Sequence, residues 1–127
     1  MGNNRVNPSA QFPSASLAAF APDETSQRAW LEYLEAVALA PGAVLFRRGD
    51  KADAMFLIES GTLAVVLEVE GAGRSELRRL GAGQFLGEMA LYRSELRTAT
   101  VEAVGEVKLW RLTAERLREV ERRHPQL

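Results

Sequence analysis

The sequence predicts a mainly β domain flanked by helices, with its short antiparallel strands wrapped into a jelly-roll-like β-roll. Three observations predict it. Glycine turns recur through the middle of the chain, at Pro41-Gly42, Gly49-Asp50, Gly61, the "GAGR" and "GAGQ" stretches and Gly105, too closely spaced for βαβ units. The run "TLAVVLEVE" at 62–70 alternates, with Leu63, Val65, Leu67 and Val69 on one face. Helix-period apolar stripes occur only near the two ends of the chain.

Composition narrows the function classes. A chain of 127 residues with 46% apolar and 26% charged residues can bury one core. Its formal net charge of −1 gives no global basic footprint, so nucleic acid is not an expected partner. No cysteine is present, which excludes disulfides, thiolate catalysis and cysteine-ligated zinc. The one histidine, His124, cannot by itself supply a metal site or a catalytic triad. No metal, no catalytic residue and no enzymatic activity are therefore expected, and a metal-dependent enzyme on a cupin-like roll lacks its ligands. No apolar run is long enough to span a bilayer, and "SASLAAFA" is a poor signal peptide. The expectation is a cytoplasmic module without membrane insertion.

In chain order, residues 1–22 read as a mobile polar tail and 23–127 as the domain. A helix is expected from Asp23 to Val37, with Asp23, Thr25 or Ser26 as its cap. Its narrow apolar stripe is Trp30, Tyr33, Leu34 and Val37. A short strand over 43–47 leads into a turn at "RGD", 48–50. Strands follow at 54–61 and 62–70, divided by a turn at Gly61. "SELRRL" returns as a strand whose alternation is not clean. "TATVEAVG" and "EVKLWRL" add two more around Gly105, giving about seven or eight strands in all. The closing segment is a helix capped by Thr113, with Ala114, Leu117 and Val120 as its stripe and Pro125 as its stop.

One stretch breaks the strand pattern: "FLGEMALYRSELRTATV", 85–101. Gly87 permits unusual dihedrals and close approach. The residues after it, Glu88, Met89 and Ala90, can form one helical turn, whose free N–H groups attract an anion. Glu88 either stabilises that turn or accepts a hydrogen bond from a ligand hydroxyl. Arg97 can grip two oxygens of one phosphate, and the small residues Thr98 and Ala99 let backbone N–H groups approach it. A hydroxyl beside an anionic group describes a ribose phosphate. One arginine without a lysine-bearing Gly-rich loop or paired aspartates suits a cyclic phosphodiester better than a triphosphate.

These residues resemble the phosphate-binding cassette of the cyclic nucleotide-binding domain family: Gly-Glu, a short apolar helix, a variable loop, then Arg-(Ser/Thr/Ala)-Ala. Upstream, "LAPGAVLFRRGDKADAMFLIESGTLAVV" resembles the opening strands of that family. The resemblance covers about 30–127 and implies a regulatory module whose ligand is cAMP or cGMP, with no further cofactor. It implies that Glu88 accepts the ribose 2′-hydroxyl and that Arg97 pairs with the cyclic phosphate. Gly87, Met89, Ala90 and Ala99 would line the phosphate through their backbone, and Thr98 would lend a hydroxyl without deciding the base. Val65, Leu67 and Phe85 are expected near the base or ribose.

The same resemblance implies a further C-terminal lid helix, expected where the chain stops. It also implies an attached or associated effector domain. The ending resembles cyclic nucleotide-binding domains at the C-termini of bacterial multidomain proteins, sulfate-permease-like transporters among them, which would place the module on the cytosolic face of a membrane protein. The alternative is an interaction domain that keeps the fold but does not use the pocket; such domains typically lose the arginine or the glutamate.

Overall fold

The computed structural model describes Ala21, residues 23–87 and residues 95–125. Apart from Ala21, the tail expected over 1–22 lies outside the described residues, as does the helical turn expected after Gly87. The described elements are α1 (Glu24–Leu31), β1 (Glu35–Leu39), β2 (Val44–Phe46), β3 (Ala54–Val69), β4 (Gly73–Leu80), β5 (Phe85–Leu86), β6 (Thr100–Thr113) and α2 (Ala114–Arg123). The strands form one antiparallel sheet in the order β1-β6-β3-β4, with β2 also on β6 and β5 also on β3. The expected mainly β, helix-flanked roll is the fold observed.

Two long strands do most of the work. β3 has 16 residues and β6 has 14; they pair from Ala54↔Thr113 to Val66↔Thr100, with register shifts on either side of Ser60. Gly61 and Gly105 are therefore not the chain reversals the sequence suggested. Each takes a positive φ, +96° and +83°, inside a continuous strand, and bends it. The described residues thus contain six strands where more and shorter ones were expected. Both halves of each long strand reach the main core. Phe56, Ile58, Val107 and Leu109 come from one half, and Leu63, Val101 and Ala103 from the other.

The first helix also departs from expectation. Asp23 does cap it, accepting from the Ser26 N–H at 2.7 Å, but the helix ends at Leu31 rather than Val37. Residues 35–39 instead pair with β6, Val37 opposite Leu109. Strand pairing outweighs a helical stripe here, and β-branched Val37 suits the ladder. Trp30, Tyr33 and Leu34 still share one destination. They pack with Met55, Leu112, Leu117 and Val120 on the outer face of the roll, while Val37 joins the inner core. α2 begins as expected, with Thr113 Oγ1 accepting from the Arg116 N–H, and it buries Val120.

The alternation over 62–70 holds only in part. Leu63 is buried and Val65 packs on the inner core, yet Val69 is 46% exposed. Val66, which that alternation puts on the opposite face, is buried. The outer face is covered at that level: Thr100, opposite Val66, accepts a hydrogen bond from the Arg48 N–H of the β2–β3 connection.

Candidate functional site

The backbone at Arg97 is fixed before its side chain is considered. The turn at 47–50, closed by Arg47 N–H donating to Asp50 Oδ2 at 2.9 Å, reaches across to it. Arg97 N–H donates to the Asp50 carbonyl at 2.7 Å, and the Gly49 N–H donates to the Arg97 carbonyl at 2.8 Å. The Ala52 N–H to Glu95 carbonyl bond extends the same clamp. The "RGD" triplet is thus a turn, and its role is to hold the chain entering β6.

The Arg97 side chain turns inward and is only 8% exposed. Its guanidinium carbon lies 4.0 Å from the centroid of the Phe46 ring and 5.8 Å from that of Phe56, a cation–π seat. Nη2 donates to the Ala54 carbonyl at 2.8 Å. Nε is buried with no hydrogen-bond partner among the described residues. Burial pulls the guanidinium below the ordinary arginine pKa, Asp53 and Asp50 oppose that shift, and Arg111 adds to it. The group stays a cation at physiological pH.

Gly87 closes the seat from the other side. It has φ +79°, and a Cβ there would fall 2.6 Å from Arg97 Nη1. Glycine is needed on both counts. The result is a planar, desolvated cation with an uncommitted buried N–H and no carboxylate paired to it among the described residues. Such a fork binds an oxyanion through parallel hydrogen bonds.

The other expected site residues divide into four groups. Gly87 meets Arg97, and Ala99 is buried two residues beyond it, while Thr98 between them is exposed. Val65 is half-buried on the inner wall, opposite Val101, and Leu67 is half-buried two residues along β3. Phe85 is not brought to Arg97: opposite Leu57, it packs with Leu34, Met55 and Trp110 on the helix-covered face, and its neighbour Leu86 takes the inner face. Glu88, Met89 and Ala90 lie outside the described residues. The sequence reading missed Phe46, the Ala54 carbonyl and the Asp50 clamp. An aromatic residue beside the Gly-Asp turn was the only available signal for Phe46.

Among the described residues, no group of three His, Asp or Glu side chains could hold a metal ion, and no helix is long and apolar enough to cross a membrane.

The family model described as "Cyclic nucleotide-binding domain" matches residues 36–124. A protein of Rhodopseudomonas palustris, provisionally named as a potassium channel protein, is 38% identical over 97 residues, covering 76% of this chain and 23% of its own length. The cAMP-dependent protein kinase regulatory subunit of Blastocladiella emersonii is 37% identical over 79 residues, covering 62% of this chain and 20% of its own length. The chain thus spans about a fifth of the length of these curated relatives. Among solved structures, the N-terminal domain of a transcriptional regulator from Streptomyces coelicolor superposes with a TM-score of 0.78 at 27% identity, over 87% of this chain and 77% of that one.

Proposed function

This chain belongs to the cyclic nucleotide-binding domain family, and from that premise we propose that it is a sensor module that binds cAMP or cGMP and relays the event to an effector. The observation that carries the reading is the buried Arg97 guanidinium, seated on Phe46 with an N–H left unpaired among the described residues. A single monoanionic phosphodiester matches one such cation. Its two exocyclic oxygens take the fork, and burial strengthens the pairing.

In this reading Glu88 accepts the ribose 2′-hydroxyl, and the backbone of Gly87, Met89, Ala90 and Ala99 approaches the cyclic phosphate. Val65 and Leu67 give apolar contact to the base or ribose. Binding draws the cassette toward Arg97. The signal it sends is limited by the difference in ligand affinity between the two arrangements of the cassette and the adjoining helices. The module itself catalyses no reaction. Its effector is another domain of the same polypeptide or an associated protein; the relatives are named for a channel and for a kinase. A membrane transporter is one such effector and would place the module on its cytosolic face.

Calorimetric titration of the chain with cAMP and with cGMP, beside Arg97→Ala, tests the proposal. Binding that disappears in the variant is the expected result. No heat from either nucleotide at millimolar concentration sinks it, and leaves the alternative of an interaction domain with the same fold.

A further inference from the structure

We propose that Arg111 is a second cation of the phosphate site, held in reserve by Glu35, so that the bound phosphate and the Glu35 carboxylate compete for one guanidinium. The inference rests on the cyclic nucleotide reading above and concerns how strongly that site holds its anion.

It starts from one row across the sheet. Glu35 on β1 lies opposite Arg111 on β6, Arg111 opposite Phe56 on β3, and Phe56 opposite Leu86 on β5. Residues directly opposite in a ladder point to the same face, and Phe56 and Leu86 belong to the inner core. The alternation along β6 agrees. Val107 and Leu109 are in that core, whereas Trp110 and Leu112 pack on the helix-covered face. Arg111 is therefore on the inner wall of the roll, where a charged side chain is out of place unless something there uses it.

The Arg97 guanidinium comes to the same row. Its carbon is 5.8 Å from the centroid of the Phe56 ring, and Gly87, which closes its seat, follows Leu86 at the β5 end. Phe56 therefore has an arginine on each flank, Arg111 from β6 and Arg97 beside β5. Arg111 is near enough that its charge disfavours the Arg97 cation. A field that opposes a neighbouring cation attracts an anion placed at the same point. Asp50 and Asp53 favour the Arg97 cation but repel a phosphate, and Arg111 offsets part of that repulsion.

The present partner of Arg111 holds it weakly. Arg111 Nη1 donates to Glu35 Oε1 at 2.7 Å, but the Glu35 side chain is 63% exposed and that of Arg111 34%. An ion pair with a solvated partner contributes little. A phosphate brought out of water onto Arg97 is the stronger attractor. Glu35 thus cancels the second cation while the site is empty, and yields it when an anion arrives.

Calorimetric titration of the 127-residue chain with cAMP and with cGMP at low and high salt tests this. The variants are Arg111→Gln, Arg111→Lys, Glu35→Gln, Arg111→Gln combined with Glu35→Gln, and Arg97→Ala. Arg111→Gln should weaken both nucleotides alike, by about three- to tenfold, because the phosphate is common to them. Arg111→Lys keeps the charge and should stay within about threefold of wild type. Glu35→Gln should tighten both about two- to threefold at low salt and less at high salt, and this gain should vanish once Arg111 is also replaced. Thermal melting verifies folding, and if Arg111→Gln does not fold, Glu35→Gln and Arg111→Lys decide. Unchanged affinity in Arg111→Gln, unchanged or weaker binding in Glu35→Gln, a Glu35→Gln gain that persists in the double variant, or a loss confined to one nucleotide overturns the competition. If Arg97→Ala still abolishes binding, the phosphate site stands without it. Heat from neither nucleotide removes the cyclic nucleotide reading, and this inference with it.

Discussion

Gly87 and Arg97 are fitted to one another: a Cβ on Gly87 would lie 2.6 Å from Arg97 Nη1 and 3.2 Å from the Ala54 carbonyl to which the same guanidinium donates. Gly87→Ala therefore does two things. It strains a left-handed backbone, at about 1–2 kcal/mol, and it pushes the guanidinium off its seat. The expected outcome is a melting temperature lowered by about 3–8 °C and a loss of nucleotide affinity of more than about tenfold. Thermal melting and calorimetry measure the two effects separately. A destabilised variant with unchanged affinity would show that the position of Arg97 does not matter for binding.

Arg97 itself should separate binding from stability. Its burial disfavours the charge, and one hydrogen bond plus the Phe46 contact offset that. Arg97→Met keeps volume and removes the desolvated charge, so stability should change by no more than about 1 kcal/mol, while nucleotide binding is lost. Arg97→Lys keeps a charge but not the planar fork, and binding should be intermediate. Denaturant melts and titration of both variants check this. A Met variant that unfolds by several kcal/mol would mean the arginine is mainly structural.

What the sequence could and could not reveal follows from the range of each interaction. Asp23 and Thr113 as caps, and Val120 as a buried helix position, depend on neighbours within a turn and were legible. Arg97 and Gly87 were legible as a spaced pattern. The fate of Val37 was not, because it depends on Leu109 across the sheet. Gly61 and Gly105 read as turns because a positive φ looks the same in sequence whether the chain reverses or bends. Phe85 and Leu86 differ by one register step, and only the pairing of β5 with β3 shows which faces the inner wall. Phe46 under Arg97 is a contact between distant parts of the chain, marked locally only by an aromatic residue beside the Gly-Asp turn.

The two strand-bending glycines should differ in their tolerance of a side chain. A Cβ at Gly61 would meet the Glu106 carbonyl oxygen at 2.4 Å and Val107 Cα at 2.9 Å, both backbone atoms, whereas a Cβ at Gly105 meets nothing within 4 Å. Gly105→Ala should cost only its dihedral strain, about 1–2 kcal/mol. Gly61→Ala must also separate β3 from β6 and should cost about 3 kcal/mol or more. Urea denaturation of both variants reads the difference. Equal costs would mean that strain alone, not the close approach of the two strands, sets the requirement for glycine.

Asp50 acts on the site in two ways, and two substitutions should pull them apart. Its carboxylate closes the turn that clamps Arg97, through the Arg47 N–H, and its negative charge favours the Arg97 cation. That same charge repels an incoming phosphate. Asp50→Ala loses the turn hydrogen bond, so stability should fall by about 1 kcal/mol, and a looser clamp should weaken nucleotide binding several-fold. Asp50→Asn keeps an acceptor for Arg47 and removes only the charge. Its stability should stay near wild type, and its affinity should rise about two- to threefold at low salt, with the gain shrinking as ionic strength screens the charge. Titrations of both variants at two salt concentrations check the signs. If both variants bind more weakly than wild type, Asp50 serves Arg97 through geometry and not through its field.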